Sequence, residues 1–149
     1  MQWHFYPLLP DKVAVHFNAL GQADQWATKL KFSLFNIGML FGVAVLFEII
    51  ICFLPRVPEN LMNIPYRAYW MAPERREKTI ERMVRYLWWT ADLTMLFLFG
   101  TDYLVTQANY YHTYQLGRFF WAMLFLYLLA IGLITVDFLL RFFRKPNQE

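Results

Sequence analysis

Ser33-Leu34-Phe35-Asn36-Ile37-Gly38-Met39-Leu40-Phe41-Gly42-Val43-Ala44-Val45-Leu46-Phe47-Glu48-Ile49-Ile50-Ile51-Cys52-Phe53-Leu54 carries a single charge, Glu48, and no turn signal. A helix needs roughly 20 such residues to cross the hydrocarbon of a bilayer. Two further stretches have similar character. Residues 86–106 contain Asp92 and Asp102, and residues 119–140 contain Asp137 near their end. The two aspartates weaken the middle stretch as an inserting segment. Its Leu93, Met95, Leu96, Phe97, Leu98 and Phe99 still favour a crossing.

Composition agrees. The 149 residues are 58% hydrophobic and 17% charged, whereas soluble domains run at about 45–50% and about 25%. Lipid cannot satisfy backbone amides, and the strand alternation of a membrane barrel is absent, so helices are the expected spanning element. The sequence therefore predicts an all-α membrane protein with three transmembrane helices. It reads as a single membrane domain over residues 1–149.

Basic residues set the orientation. Arg56, Arg67, Arg75, Arg76, Lys78, Arg82 and Arg85 lie between the first two spans, and Arg141, Arg144 and Lys145 follow the third. Only Arg118 lies between the second and third. Positive residues mark the cytoplasmic side. The expected order is an outer N-terminal arm (1–32), first span (33–54), inner loop and amphipathic helix (55–85), second span (86–106), outer loop (107–118), third span (119–140) and inner tail (141–149). The opening segment lacks a charged n-region and an apolar h-region. Either the first span draws a short arm across, or a further helix lies upstream.

Gly21-Gln22 reads as a turn within the arm. Pro55, Pro58 and Pro65 break the inner loop. Pro73 suits the first turn of a helix, and Ile80, Met83, Val84 and Leu87 form an apolar stripe at helical spacing. This predicts an inner amphipathic approach helix that runs along the membrane surface into the second span.

Glu48, Asp92 and Asp137 fall within roughly 5–9 Å of the inner boundary at the helical rise per residue. With Arg85 and Arg141 they form a candidate inner-leaflet polar site for a proton, a cation or a basic residue of a partner. The simpler reading is pairing, with Asp137 on Arg141 at i,i+4 and with Glu48 or Asp92 near Arg85 or Arg56. Asp102 reads as interfacial and hydrated, with Arg118 or Lys29 as its partner. Gly38 and Gly42 have the spacing of a helix-packing motif. His4, His16, Asp24 and His112 match no metal-ligand spacing, and no metal or cofactor is expected. No nucleophile–base arrangement, phosphate loop or dinucleotide motif is present. The aromatics Tyr103, Tyr110, Tyr111, Tyr114, Phe119, Phe120 and Trp121 read as an interface belt. The net charge of +3 follows the membrane topology and needs only anionic lipid as partner, not nucleic acid.

Pro10-Asp11, His16-Phe17-Asn18, Gly21, Asp24, Trp26 and Lys29, just ahead of a span, resemble a domain-of-unknown-function family of small integral membrane proteins that includes the SdpI-type immunity proteins. Asn63-Ile64-Pro65, Tyr69-Trp70 and Pro73-Glu74-Arg75-Arg76 resemble a stretch that follows the next helix in such proteins. The resemblance covers about residues 7–86. It implies a bacterial inner-membrane protein and marks Pro10, Asp11, His16, Asn18, Asp24, Trp26 and Lys29 as a candidate outer-arm motif. Members usually carry a membrane helix before the Leu-Pro-Asp stretch, and Tyr66-Arg67 replaces the Asn-Lys common there.

The functional expectation is a non-enzymatic accessory or interaction subunit of a larger membrane complex, with the lipid bilayer and other membrane subunits as partners. An SdpI-type toxin-immunity or sensing protein is the alternative, and a proton or cation transport element is the next.

Overall fold

The computed structural model describes residues 5–144, and the readings made on His4 and Lys145 fall outside them. The described chain is mostly helical. A hairpin of β1 (Lys12–Phe17) and β2 (Ala23–Thr28) leads into α1 (Lys29–Phe53). A short α2 (Arg67–Trp70), a 38-residue α3 (Pro73–Tyr110) and a 26-residue α4 (Arg118–Phe143) follow. Among the described residues, two helical stretches are long and apolar enough to cross a membrane, Lys29–Arg56 and Arg118–Phe143.

The helix ends follow local chemistry. The Thr28 hydroxyl accepts a bond from Lys31 N at 3.4 Å, as a capping side chain does. Pro55 lies just past the end of α1, where its missing N–H stops the ladder. α3 begins at Pro73, as expected. α3 ends at Tyr110, and His112, two residues further on, takes a φ of 54°, the left-handed conformation that closes a helix C-terminus.

The all-α expectation is corrected over the N-terminal arm, which forms a β-hairpin. β1, with Val13, Val15 and Phe17, has strand character, but β2 reads Ala-Asp-Gln-Trp-Ala-Thr and has no apolar alternation. Its pairing is stabilised by partners distant in sequence.

The chain forms two compact units. In the unit of Met1–Val43 and Thr94–Tyr127, Leu9, Val13 and Phe32 form a small core with Val105 against it. In the unit of Ala44–Leu93 and Leu128–Glu149, Met62, Met71 and Ile80 pack with Leu54, Val57, Ile64, Met83 and Val84. Ile80, Met83 and Val84 of the apolar stripe are thus covered by residues of the preceding segment, Leu54 to Met71. Trp70 adds to this packing: its ring lies 5.2 Å from Phe142, which is fully buried.

Candidate functional site

The outer-arm motif builds the hairpin and closes it onto α1. Asn18 organises the turn: its Oδ1 accepts from Leu20 N at 2.9 Å and from Gln22 N at 3.0 Å. Gly21 takes φ +75° there, and an added Cβ would stand 2.7 Å from the carbonyl oxygen of Leu116. Glycine is the residue that this position accepts without strain. Lys29 Nζ pairs with Asp11 Oδ1 at 3.0 Å, and Lys29 N donates to Asp11 O at 3.1 Å. Those two contacts tie the entry of β1 to the first turn of α1. Pro10 lies between the opening turn Tyr6–Leu8 and β1.

Two register irregularities flank His16: Ala14 pairs with Trp26, His16 with Gln25 and Phe17 with Ala23. Val15 and Asp24 are therefore the extra residues. Such bulges re-aim side chains locally. Here His16 Nδ1 meets Asp24 Oδ1 at 2.5 Å on an exposed face.

Each free edge of the hairpin receives hydrogen bonds from residues distant in the sequence. On β1, Asn109 accepts from Ala14 N at 2.6 Å and donates to Ala14 O at 2.9 Å. On the β2 side, Ala23 N donates to Tyr114 O at 3.0 Å and Leu116 N to Gly21 O at 2.8 Å. Gln22 bridges Gln115 in the same run. Trp26 lies edge-on to Tyr114 with centroids 4.7 Å apart. The outer aromatics Tyr114 and Tyr110 thus pack on the arm itself, with Tyr110 against Phe5.

Beneath the hairpin is a cavity of about 460 Å³. Val15 and His16 form part of its roof, Phe32, Phe35 and Met39 of α1 one wall, and Leu98 and Val105 of α3 another. Lys31, Asn36, Thr101 and Asp102 supply its polar groups. Asn36 Nδ2 donates to Asp102 Oδ1 at 2.6 Å, and both residues are buried. The reading of Asp102 as interfacial and hydrated is corrected: it is 5% exposed and its carboxylate accepts a hydrogen bond from Asn36. A carboxylate in an apolar setting needs such a donor. Thr101 Oγ1 is buried without a hydrogen-bond partner among the described residues. The cavity volume lies in the range of small-ligand pockets, which combine apolar walls with a few converging polar groups.

The inner polar candidates are only partly brought together. Asp137 Oδ2 accepts from Arg141 Nε at 3.1 Å and from the Tyr86 hydroxyl. Arg85, Asp137 and Arg141 line one pocket between α3 and α4. Glu48 and Asp92 are exposed, and no hydrogen bond or ion pair among the described residues links them to Asp137 or Arg85. Arg56 donates to the carbonyl of Cys52. No group of three or more His, Cys, Asp or Glu suited to a metal ion occurs among the described residues. At Gly38 and Gly42 an added Cβ would meet nothing within 4 Å, so neither glycine makes a close contact within the chain. Gly100 does: its Cβ position lies 2.5 Å from Met123 Sδ.

Spacing does not mark Asn36, Thr101 or Asn109, and it places Tyr114 only in an aromatic belt. One signal was available, because an amide inside an apolar span is costly unless something receives it.

Residues 3–41 match the model of a family described as a domain of unknown function (DUF1648). The match takes in the hairpin and the first turns of α1, the segment that carries the outer-arm motif. No curated protein and no solved structure matches the chain.

Proposed function

We propose that this chain is a non-enzymatic integral membrane protein of the bacterial inner membrane that acts by binding, as an accessory or interaction subunit of a larger assembly. Residues 33–54, 86–106 and 119–140 cross the bilayer, with the N-terminus outside and the C-terminus in the cytoplasm. The apolar windows of Lys29–Arg56 and Arg118–Phe143 bury almost nothing within the chain, which suits contact with lipid and other helices. The middle crossing is supported by Asp102, whose carboxylate is met by Asn36 and not left to hydrocarbon.

The observation that carries the reading is the cavity under the hairpin. Its walls are apolar, and at its polar end a buried hydroxyl, Thr101 Oγ1, has no partner among the described residues. A partner's side chain or terminus with a hydrogen-bonding tip fits that arrangement. Gentle solubilisation, a native gel and mass spectrometry of the resulting band test it. A large assembly of fixed composition that falls apart in Phe35→Ser or Thr101→Val supports the reading. A free monomer sinks it.

The SdpI-type immunity or sensing reading has one observation in its favour. The family match covers the hairpin that roofs the cavity, so a secreted peptide would be received by matched residues. Deletion would then sensitise cells to such a peptide, and His16→Ala or Trp26→Ala would remove protection. Unchanged sensitivity after deletion would exclude it.

A further inference from the structure

A second pocket, of about 300 Å³, lies between α3 and α4 and is lined by Arg82, Arg85, Tyr86, Trp89, Asp137 and Arg141. The first four stand at i, i+3, i+4 and i+7, which places them on one face of α3. Asp137 and Arg141 stand at i,i+4 on α4 and bond to each other. Asp137 is engaged by Arg141 and by the Tyr86 hydroxyl. Arg82 and Arg85 form no ion pair among the described residues. Three guanidinium groups against one carboxylate leave the pocket with a formal charge of +2 (3 − 1).

We propose that this pocket binds the phosphate of an anionic phospholipid headgroup. Guanidinium presents paired, planar N–H donors that match phosphate oxygens, and it sheds water more readily than an ammonium group. Every cation lining this pocket is an arginine. Trp89 is exposed at the rim, and its indole suits the level where headgroup meets acyl chain. Val136, Leu139 and Leu140 are exposed along α4 beside Asp137 and Arg141, an apolar surface for the acyl chains. A soluble phosphate would use the arginines but not this surface, so the assignment is to lipid. A formal charge of +2 also disfavours a cation beside Asp137.

The inference rests on the membrane reading, which alkaline extraction of membranes tests separately. The direct test is native mass spectrometry of the purified, delipidated protein titrated with phosphatidylglycerol, with phosphatidylcholine and inorganic phosphate as controls. Phosphatidylglycerol should bind stoichiometrically and at least tenfold more tightly than phosphatidylcholine. Arg82→Gln/Arg85→Gln should abolish that preference, whereas Arg67→Gln, outside the pocket, should leave it intact. Arg85→Lys, which keeps the charge and is the gentler change, should weaken binding severalfold through loss of the fork. Equal binding of both lipids would overturn the proposal. So would equal losses in Arg67→Gln and the double variant, which would mean diffuse charge. Saturation by inorganic phosphate that displaces the lipid would overturn the assignment to lipid.

Discussion

Asn109 holds Ala14 from 95 positions away in the sequence, accepting from its N–H and donating to its carbonyl. The side-chain amide stands in for a neighbouring strand. It supplies β1 with the two bonds an edge strand would otherwise leave open. A third bond, from Nδ2 to Val105 O at 3.0 Å, fixes the amide against its own helix.

Asn109→Ala should therefore loosen the hairpin. Two buried backbone groups of Ala14 would lose their partner, at about 1–3 kcal/mol for each group left unsatisfied. A lower melting temperature in detergent should be accompanied by faster amide exchange across Lys12–Phe17. Exchange confined to other segments would show that Asn109 does not anchor this strand.

Gly21→Ala meets both a positive φ and the Leu116 carbonyl at 2.7 Å. A left-handed residue with a side chain costs about 1–2 kcal/mol before the clash is counted. The variant should be destabilised by more than that, and Gly21→Asn should suffer the same clash despite tolerating the dihedral. Wild-type melting of Gly21→Ala would contradict the close approach.

The bond between Asn36 and Asp102 predicts a non-additive pair. Asn36→Leu removes a donor from a buried carboxylate and should cost at least about 2 kcal/mol. Adding Asp102→Leu removes the acceptor as well and should recover a large part of the loss. A double-mutant cycle by thermal or denaturant unfolding reads the coupling directly. Simple additivity would mean that the 2.6 Å contact contributes little.

His16 and Asp24 form an exposed contact, with side chains 57% and 40% accessible. Exposed ion pairs contribute about 0–1 kcal/mol. His16→Ala should thus leave the melting temperature nearly unchanged. A loss of assembly or of peptide protection in that variant would then report on binding and not on folding, whereas a large drop in melting temperature would assign His16 to the fold.

Gly38 and Gly42 face open space in this chain. Gly38→Leu and Gly42→Leu should leave its stability unaffected. If another subunit packs there, the same variants should shift the native-gel band to a smaller species, because close helix approach depends on small residues. No shift would remove these glycines from any interface.

What the sequence determined by itself was local. Long apolar runs place the helices of 33–54 and 119–140, because length and transfer energy need no partner. The turn at Gly21, the helix start at Pro73 and the Asp137–Arg141 pair follow from neighbours within a few residues. The tertiary structure decided everything that joins distant positions. β2 is too polar to declare itself a strand, and it forms one because residues 114–116 and Asn109 complete the hairpin's hydrogen bonds. Asp102 reads as a surface charge until Asn36, 66 positions earlier, is brought against it. The cavity exists only where the hairpin, α1 and α3 meet. Short-range steric and solvation preferences are written residue by residue, whereas the satisfaction of a buried polar group depends on what the rest of the chain brings to it.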